Sequence, residues 1–344
     1  MAGSSGPDLV TNGLTLALDA ADKNSYADLL IVYSVQCYSV FNGGLRSANY
    51  TVQYSDDNST WTTAFTGVMS NNSSCGIITG TGVNTSNLTR HRYWRYVEGS
   101  AVAGHHPRVS RIDFIGTNGV VYNLITYTSD NCVDSGTYIV GTVSKDFGPT
   151  SWKDLSGNGI TGTLTNGVSF SAANCGNLRF DGTDDNIQLG TASNFISANG
   201  ITVACWAKTN VTQVYKKVFV TVTSGTQSIT GVYFSLGPSP YNYYFGINGA
   251  QQATSTSDLS TTQYNYLCGT YDKSNIKLYL NGTLLATTAY TPSINTGGIG
   301  RISGYDNGGE IWDGNIASFM LYNRALTATE ILQNYNATKT RFGL

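Results

Sequence analysis

Charge is scarce in this 344-residue chain: Asp, Glu, Lys and Arg together make up 12%, against the ~25% usual in soluble domains. Glutamate occurs only as Glu98, Glu310 and Glu330. Glycoside hydrolysis normally needs two carboxylates flanking the scissile bond. No Glu-x-Asp-x-x-Glu or Glu-x-Asp-x-Glu strand is present, and most Asp residues stand in turn contexts that an Asx-turn explains. Histidine is limited to His91, His105 and His106. Neighbours such as His105 and His106 point to opposite faces of a strand, which argues against a shared metal. No Gly-x-Ser-x-Gly accompanies them to suggest a nucleophile.

Other absences exclude further classes. The 19 basic and 21 acidic residues give a net charge of −2 with no long run of either sign. Nucleic-acid binding needs a basic stripe and an anionic membrane surface needs a polybasic cluster, so neither partner is expected. No apolar run reaches the ~18 residues of a membrane span. Met1-Ala-Gly-Ser-Ser-Gly-Pro7 has no positive region and no apolar core, so it is not read as a secretory signal and synthesis in the cytoplasm is expected. Cys37, Cys75, Cys132, Cys175, Cys205 and Cys268 form no Cys-x-x-Cys. A zinc site is therefore not expected, and reduced, mostly buried thiols are.

What is abundant is Gly (39) and Tyr (23), with Ser, Thr and Asn. That composition suits an all-β protein with many turns. The stretch from Trp152 to Gly190 sets the pattern: short apolar runs alternate with Asp154–Gly159, Asn166-Gly167 and Asp181-Gly182 turns. Leu14, Leu16 and Leu18 alternate with small residues as a half-buried strand. Later strands are expected at Ile201–Ala207, Val214–Val222, Thr230–Leu236, Tyr264–Tyr271 and Ile276–Leu280, the last closed by Asn281-Gly282 in a hairpin. One helix is expected at the C-terminus. Thr327 and Glu330 form a capping box, Leu326 and Ile331 a hydrophobic staple, and Ile331, Leu332 and Tyr335 an apolar stripe.

Asp154-Leu-Ser-Gly-Asn-Gly159 followed by Phe180-Asp-Gly-Thr-Asp-Asp185 resembles the laminin-G-like, concanavalin A-like sandwich domains of tailed-phage structural proteins. Gly13-Leu-Thr-Leu-Ala-Leu-Asp-Ala20, Tyr271–Gly282 and the closing run Tyr322–Gly343 are similar to the same family. In that family the aspartyl-leucyl-seryl-glycine segment follows the first strand within a few residues. Here more than a hundred intervene, so a jelly-roll sandwich is expected from 1–27 and 148–344, with a second sandwich inserted at 28–147. The insert resembles the discoidin-like, galactose-binding-like sandwich at Tyr50–Trp61, Tyr93–Val97 and Ile112–Gly116. That family's N-terminal strands are missing before Leu29, and residues 120–147 are expected to replace them in permuted order.

The resemblance implies a non-enzymatic virion protein, a capsid-decoration, head-fibre or tail-fibre subunit. Its expected partners are other virion proteins (capsid, tail or fibre) and host-surface glycans, and it is expected on the virion surface in many copies or as a homo-oligomer. A free carbohydrate-binding module or lectin is the alternative, and a glycosidase a third. Tyr241, Tyr243, Tyr244 and Trp312 are candidate glycan contacts; otherwise they fill the core or a subunit interface. No cofactor is required. Asp181, Asp184 and Asp185 offer a calcium ion three carboxylates, against a plain structural turn. Relatives carry Asp in a Gly-x-Ile-Asp strand where Gly314-Asn-Ile-Ala317 has Ala, a departure that removes an expected ligand.

Overall fold

A computed structural model describes residues 8–22, 31–39, 48–55, 59–69, 76–85, 93–101, 109–117, 119, 121–126, 142–146, 150–171, 173–210, 214–237, 242–255, 259–305 and 308–344. Two compact units divide the chain. Unit 1 combines Met1–Ala27 with Pro149–Leu344, and unit 2 is Asp28–Gly148.

In chain order, β1 (Leu14–Asp19) belongs to unit 1. Unit 2 holds β2 (Val32–Ser39), β3 (Ala48–Ser55), β4 (Thr62–Met69), β5 (Gly76–Val83), β6 (Tyr93–Ala101), β7 (Val109–Gly116), β8 (Val121–Thr126) and β9 (Thr142–Asp146). Unit 1 resumes with β10 (Ser151–Trp152), β11 (Gly162–Thr165), β12 (Ser169–Ser171), β13 (Asn177–Asp181), β14 (Asn186–Thr191), β15 (Ile201–Thr209), β16 (Lys217–Val222) and β17 (Ile229–Leu236). It ends with β18 (Tyr243–Ile247), β19 (Gln251–Thr254), β20 (Asn265–Tyr271), β21 (Asn275–Leu280), β22 (Thr283–Ala289), β23 (Ile299–Ile302), β24 (Asp313–Tyr322) and the helix α1 (Ala328–Thr338).

Unit 1 is a jelly-roll sandwich of two antiparallel sheets. One runs β12-β13-β24-β15-β20-β21-β22, with β1 also on β24; the other runs β10-β11-β14-β23-β16-β17-β18-β19. Phe219 of the second sheet meets Phe319 of the first, ring centroids 5.2 Å apart. At Gly269 a Cβ would lie 2.2 Å from the Phe245 ring, so the close approach of β18 and β20 requires glycine there. Those contacts mark the core between the sheets, and the central strands β16, β18 and β20 are buried along their whole length.

Strand β1 pairs with the far end of the chain, Leu16 opposite Leu321 and Leu18 opposite Phe319. Its other edge would present unpaired backbone. The Asp154–Gly159 loop covers it. Asp154 Oδ1 accepts the Ala17 N–H at 3.0 Å, the Leu155 N–H donates to Ala17 O at 2.8 Å, and Asn158 Nδ2 donates to the Leu14 and Thr15 carbonyls. The turn residues that announce this loop in the sequence thus serve a first strand more than 130 positions earlier.

The helix begins as its sequence dictates. Thr327 accepts from the Glu330 N–H, and the Glu330 side chain returns to the cap backbone. Leu326 and Ile331 are both buried. The stripe differs at one position from expectation: Leu332 is 45% exposed, whereas Asn334 is fully buried. Helical geometry favours Asn334, which with Ile331, Tyr335 and Thr338 follows the i, i+3, i+4, i+7 pattern. The stripe packs on Trp206, which stacks on Tyr335 and donates its indole N–H to Thr338 Oγ1 at 2.7 Å. Asn281 (φ 50°) and Gly282 (φ 81°) make the β21–β22 hairpin turn with both residues left-handed.

Unit 2 is built from the sheets β5-β2-β7-β8 and β4-β3-β6-β9. Tyr50, Val52, Trp94, Tyr96, Ile112 and Phe114 share its core. Strand β8 pairs with β7, and β9 with β6. Residues 121–126 and 142–146 therefore complete the two sheets of this unit.

Cys37, Cys205 and Cys268 are free, buried thiols. Burial pushes all three thiols up in pKa, which leaves them protonated and unreactive. The side chains of Cys75, Cys132 and Cys175 lie outside the described residues.

Candidate functional site

The turn Asp181–Asp185 joins β13 to β14 and gathers three carboxylates within 4.8 Å of one another. Asp181 and Asp184 are exposed, and Asp185 is buried. Backbone donors already use two of these groups. Asp185 Oδ2 accepts the Asp181 N–H at 2.9 Å, and Asp181 Oδ1 accepts the Thr183 N–H at 2.8 Å. Asn166 and Asn186 both donate to the Asp184 carbonyl. The donors are hard oxygens, which suits calcium rather than a soft metal. Asp181, Asp184 and Asp185 are the groups that would hold such an ion, and it would neutralise their mutual repulsion.

Ala317 contributes nothing here. Asp181 pairs with Asp313, and four residues of strand put Ala317 about 13 Å further along β24. Ala317 is instead buried in the cluster that contains Trp206 and Ile331. The expectation that its Ala removes a ligand from this turn is therefore corrected by strand geometry.

The aromatic candidates are placed differently from a ligand platform. Tyr243 and Trp312 are fully buried and Tyr244 is 7% exposed. Tyr243 faces inward with Phe234, their rings stacked at 6.4 Å. Adjacent strand residues point to opposite faces, so Tyr244 lies on the outer side of its sheet. All three side chains are deeply covered, Tyr244 within a cluster that also holds Val220, Val222, Tyr233 and Tyr305. Tyr241 lies outside the described residues.

Tyr244 belongs to a cluster that the sequence does not announce. Lys217, 3% exposed, donates to Ser235 Oγ at 3.1 Å and pairs with Glu310. Its ammonium lies 5.2 Å from the Tyr305 ring and 6.0 Å from the Tyr244 ring. The Glu310 carbonyl also accepts the Lys217 N–H at 2.8 Å. Tyr233 packs edge-on against Tyr244 and donates to Gln252 Oε1. Burial raises the Tyr244 and Tyr305 hydroxyl pKa values and pushes that of Tyr233 up to about 12, so all three stay protonated donors near neutral pH. Lys217 is bound to a carboxylate and roofed by rings, which makes the cluster a strut that ties Glu310 to the sheet. Lys217 and Glu310 are 93 residues apart, and no spacing in the sequence links them.

Two further carboxylates of unit 1 are similarly engaged. Glu330 takes both Arg324 amino groups, at 2.6 and 3.0 Å, besides capping the helix. The Arg324 hydrogen bonds hold its pKa down at about 2. Asp272 is also shifted down. Desolvation pulls it upward, but the Asn275 and Ser274 N–H groups with Lys277 outweigh that. A general acid needs the opposite displacement. Glu98 lies in unit 2.

Comparison with known proteins places unit 1. Residues 181–332 match the concanavalin A-like lectin/glucanases superfamily. No curated protein matches the chain. Among solved structures, domain 4 of a GH43 extracellular arabinanase from Geobacillus stearothermophilus, in complex with arabinotriose, is similar at 19% identity. The match covers 53% of this chain and 92% of that one, with a TM-score of 0.45. The binding domain of botulinum neurotoxin serotype G is similar at 16% identity over 53% of this chain and 47% of the toxin chain, with a TM-score of 0.44. The ligand-binding domain of serotype D, in complex with N-acetylneuraminic acid, gives 15% identity, 54% and 47% coverage, and a TM-score of 0.43. This chain thus spans about half the length of those two toxin domains. Its two antiparallel sheets give unit 1 a concanavalin A-like jelly-roll fold, and within it the stretch 181–332 is similar to the lectin/glucanases superfamily.

Proposed function

We propose that the chain is a non-enzymatic carbohydrate-binding protein of a tailed-phage virion, a capsid-decoration or fibre subunit displayed at the particle surface. The observation that carries the binding half is the fate of the carboxylates. The superfamily spans lectins and glucanases, and here both Glu residues of unit 1 are tied to cations, Glu310 to Lys217 and Glu330 to Arg324. A hydrolase needs one free carboxyl acid and one carboxylate across the bond. The virion half is supported by the phage-type wording at Asp154–Gly159, Phe180–Asp185 and Tyr322–Gly343. The discoidin-like reading of unit 2 would supply a second glycan-binding module.

Adhesion in this reading is multivalent. Weak single contacts are multiplied when copies of the chain, docked on capsid, tail or fibre proteins, engage one host surface. Calcium is not required, because the Asp181–Asp185 turn carries its own hydrogen bonds. Two measurements test the proposal. Mass spectrometry of purified particles is expected to detect the chain, and its absence from them rejects the virion role. A glycan array is expected to retain the purified chain, and an array without signal rejects the binding role.

A further inference from the structure

Unit 2 carries an outward-facing row that its core does not use. Strands β4, β3 and β6 lie side by side, and their register puts Thr63 opposite Gln53 and Gln53 opposite Arg95. The inward positions of the same strands are Val52, Trp94 and Tyr96. Gln53 and Arg95 therefore point away from the core by alternation, and a bulge between Phe65 and Thr63 keeps Thr63 opposite Gln53 on that face. They are linked in sequence. Gln53 Nε2 donates to Thr63 Oγ1 at 3.2 Å, and Arg95 Nε donates to Gln53 Oε1 at 2.7 Å. The guanidinium then lies over the Trp61 ring, its carbon 4.1 Å from the ring centroid.

This arrangement fixes an arginine through its least useful edge. Only Nε is spent, and on a neutral amide. Among the described residues neither Nη group makes a hydrogen bond and Arg95 has no carboxylate partner. A guanidinium held over an indole and by one hydrogen bond has already lost rotamer freedom. Its open fork matches the two oxygens of a carboxylate. Arg95, Trp61, Gln53 and Thr63 are all partly or fully exposed. The indole and the amide offer what a sugar ring needs beside that carboxylate, a flat apolar surface and a planar polar group.

We infer that this face of unit 2 binds an acidic sugar, with the sugar's carboxylate on the Arg95 fork and its ring against Trp61 and Gln53. The inference rests on the glycan-binding reading above and narrows it to one chemistry and one sheet face. The Lys217–Glu310 cluster of unit 1 offers no such opening, because its cation is already paired.

The experiment titrates the whole chain with 3′-sialyllactose and trigalacturonic acid, and with their neutral counterparts lactose and the trigalacturonate methyl ester. At least one acid is expected to bind at least tenfold more tightly than its neutral counterpart, with affinity falling as salt rises. Arg95→Lys keeps the charge but loses the fork, and is expected to lose at least tenfold in affinity for that acid. Gln53→Ala, which frees the guanidinium to rotate, is expected to lose less. Unfolding curves of both variants are expected to match the parent, since the row is outside the core. Binding of neutral and acidic sugars alike, or acid binding untouched by Arg95→Lys, overturns the inference and leaves the glycan reading standing. Failure to bind any glycan, on these probes and on an array, overturns both.

Discussion

Asn334 of the C-terminal helix accepts the backbone N–H of Val10 at 2.8 Å, across 324 positions of chain. The same side chain donates to Tyr322 Oη, which in turn donates to the Val10 carbonyl at 3.0 Å. Helix, last strand and N-terminal segment are thereby closed into one buried ring of hydrogen bonds. Asn334→Leu would leave the Val10 N–H without its acceptor, and the expected loss is about 1–3 kcal/mol. Leu332→Gln, at an exposed position of the same helix, is expected to stay within about 0.5 kcal/mol. Urea unfolding midpoints compare the two, and equal effects would contradict the packing described.

The Asp154 loop is the second tie between distant parts. Asp154→Ala removes the acceptor of Ala17 and Ser156 N–H groups, with an expected cost of about 1–3 kcal/mol. Replacing residues 28–148 by a short Gly/Ser linker is expected to leave a cooperatively folding unit 1, because β1 is held by β24 and by this loop rather than by the insert. Thermal unfolding followed by circular dichroism decides the point. A broad transition, or loss of strand signal, would mean that the insert is needed to close the sandwich.

Glu330 makes stability depend on pH in a definite direction. Its folded pKa is depressed from 4.5 to about 2, chiefly by Arg324. Such a group contributes fully above its unfolded pKa and loses that contribution as pH falls toward the folded value. The parent is therefore expected to lose more stability than Glu330→Gln between about pH 5 and about pH 2, with a difference of about 1 kcal/mol or less because solvent screens the pair. Unfolding midpoints measured across that range check it, and parallel curves would contradict the pairing.

Three protein carboxylates fall well short of the 6–8 oxygens that calcium takes. Calorimetry with millimolar calcium is accordingly expected to show no heat, and the melting temperature no shift. A clear heat that disappears in Asp184→Asn would instead show that the Asp181–Asp185 turn holds the ion.

Much of the fold is legible in the residues. The alternation of Leu14, Leu16 and Leu18, the Asn281-Gly282 turn and the Thr327–Glu330 box each dictate a local geometry that tertiary packing leaves intact. The site is less legible, because a face is chosen by partners far away in sequence. Tyr243 and Tyr244 look equivalent as neighbours, yet Phe234 beside the first and Lys217 beside the second give them different surroundings. Leu332 outranks Asn334 by hydrophobicity, but the helix phase puts Asn334 inward, where Val10 and Tyr322 satisfy it. Lys217 and Glu310 meet only after β16 and the segment before β24 are brought together. Gln53 and Arg95 sit at outward positions of alternating strands, and their pairing with Trp61 needs the cross-strand register.

The proposed function has this chain bind carbohydrate without cleaving it. The most direct test is to incubate the whole chain with the glycans it retains and to analyse the sugars by mass spectrometry. Intact sugars recovered after retention are predicted. Shortened products that vanish when one carboxylate is replaced, or no retention of any glycan, would contradict the claim.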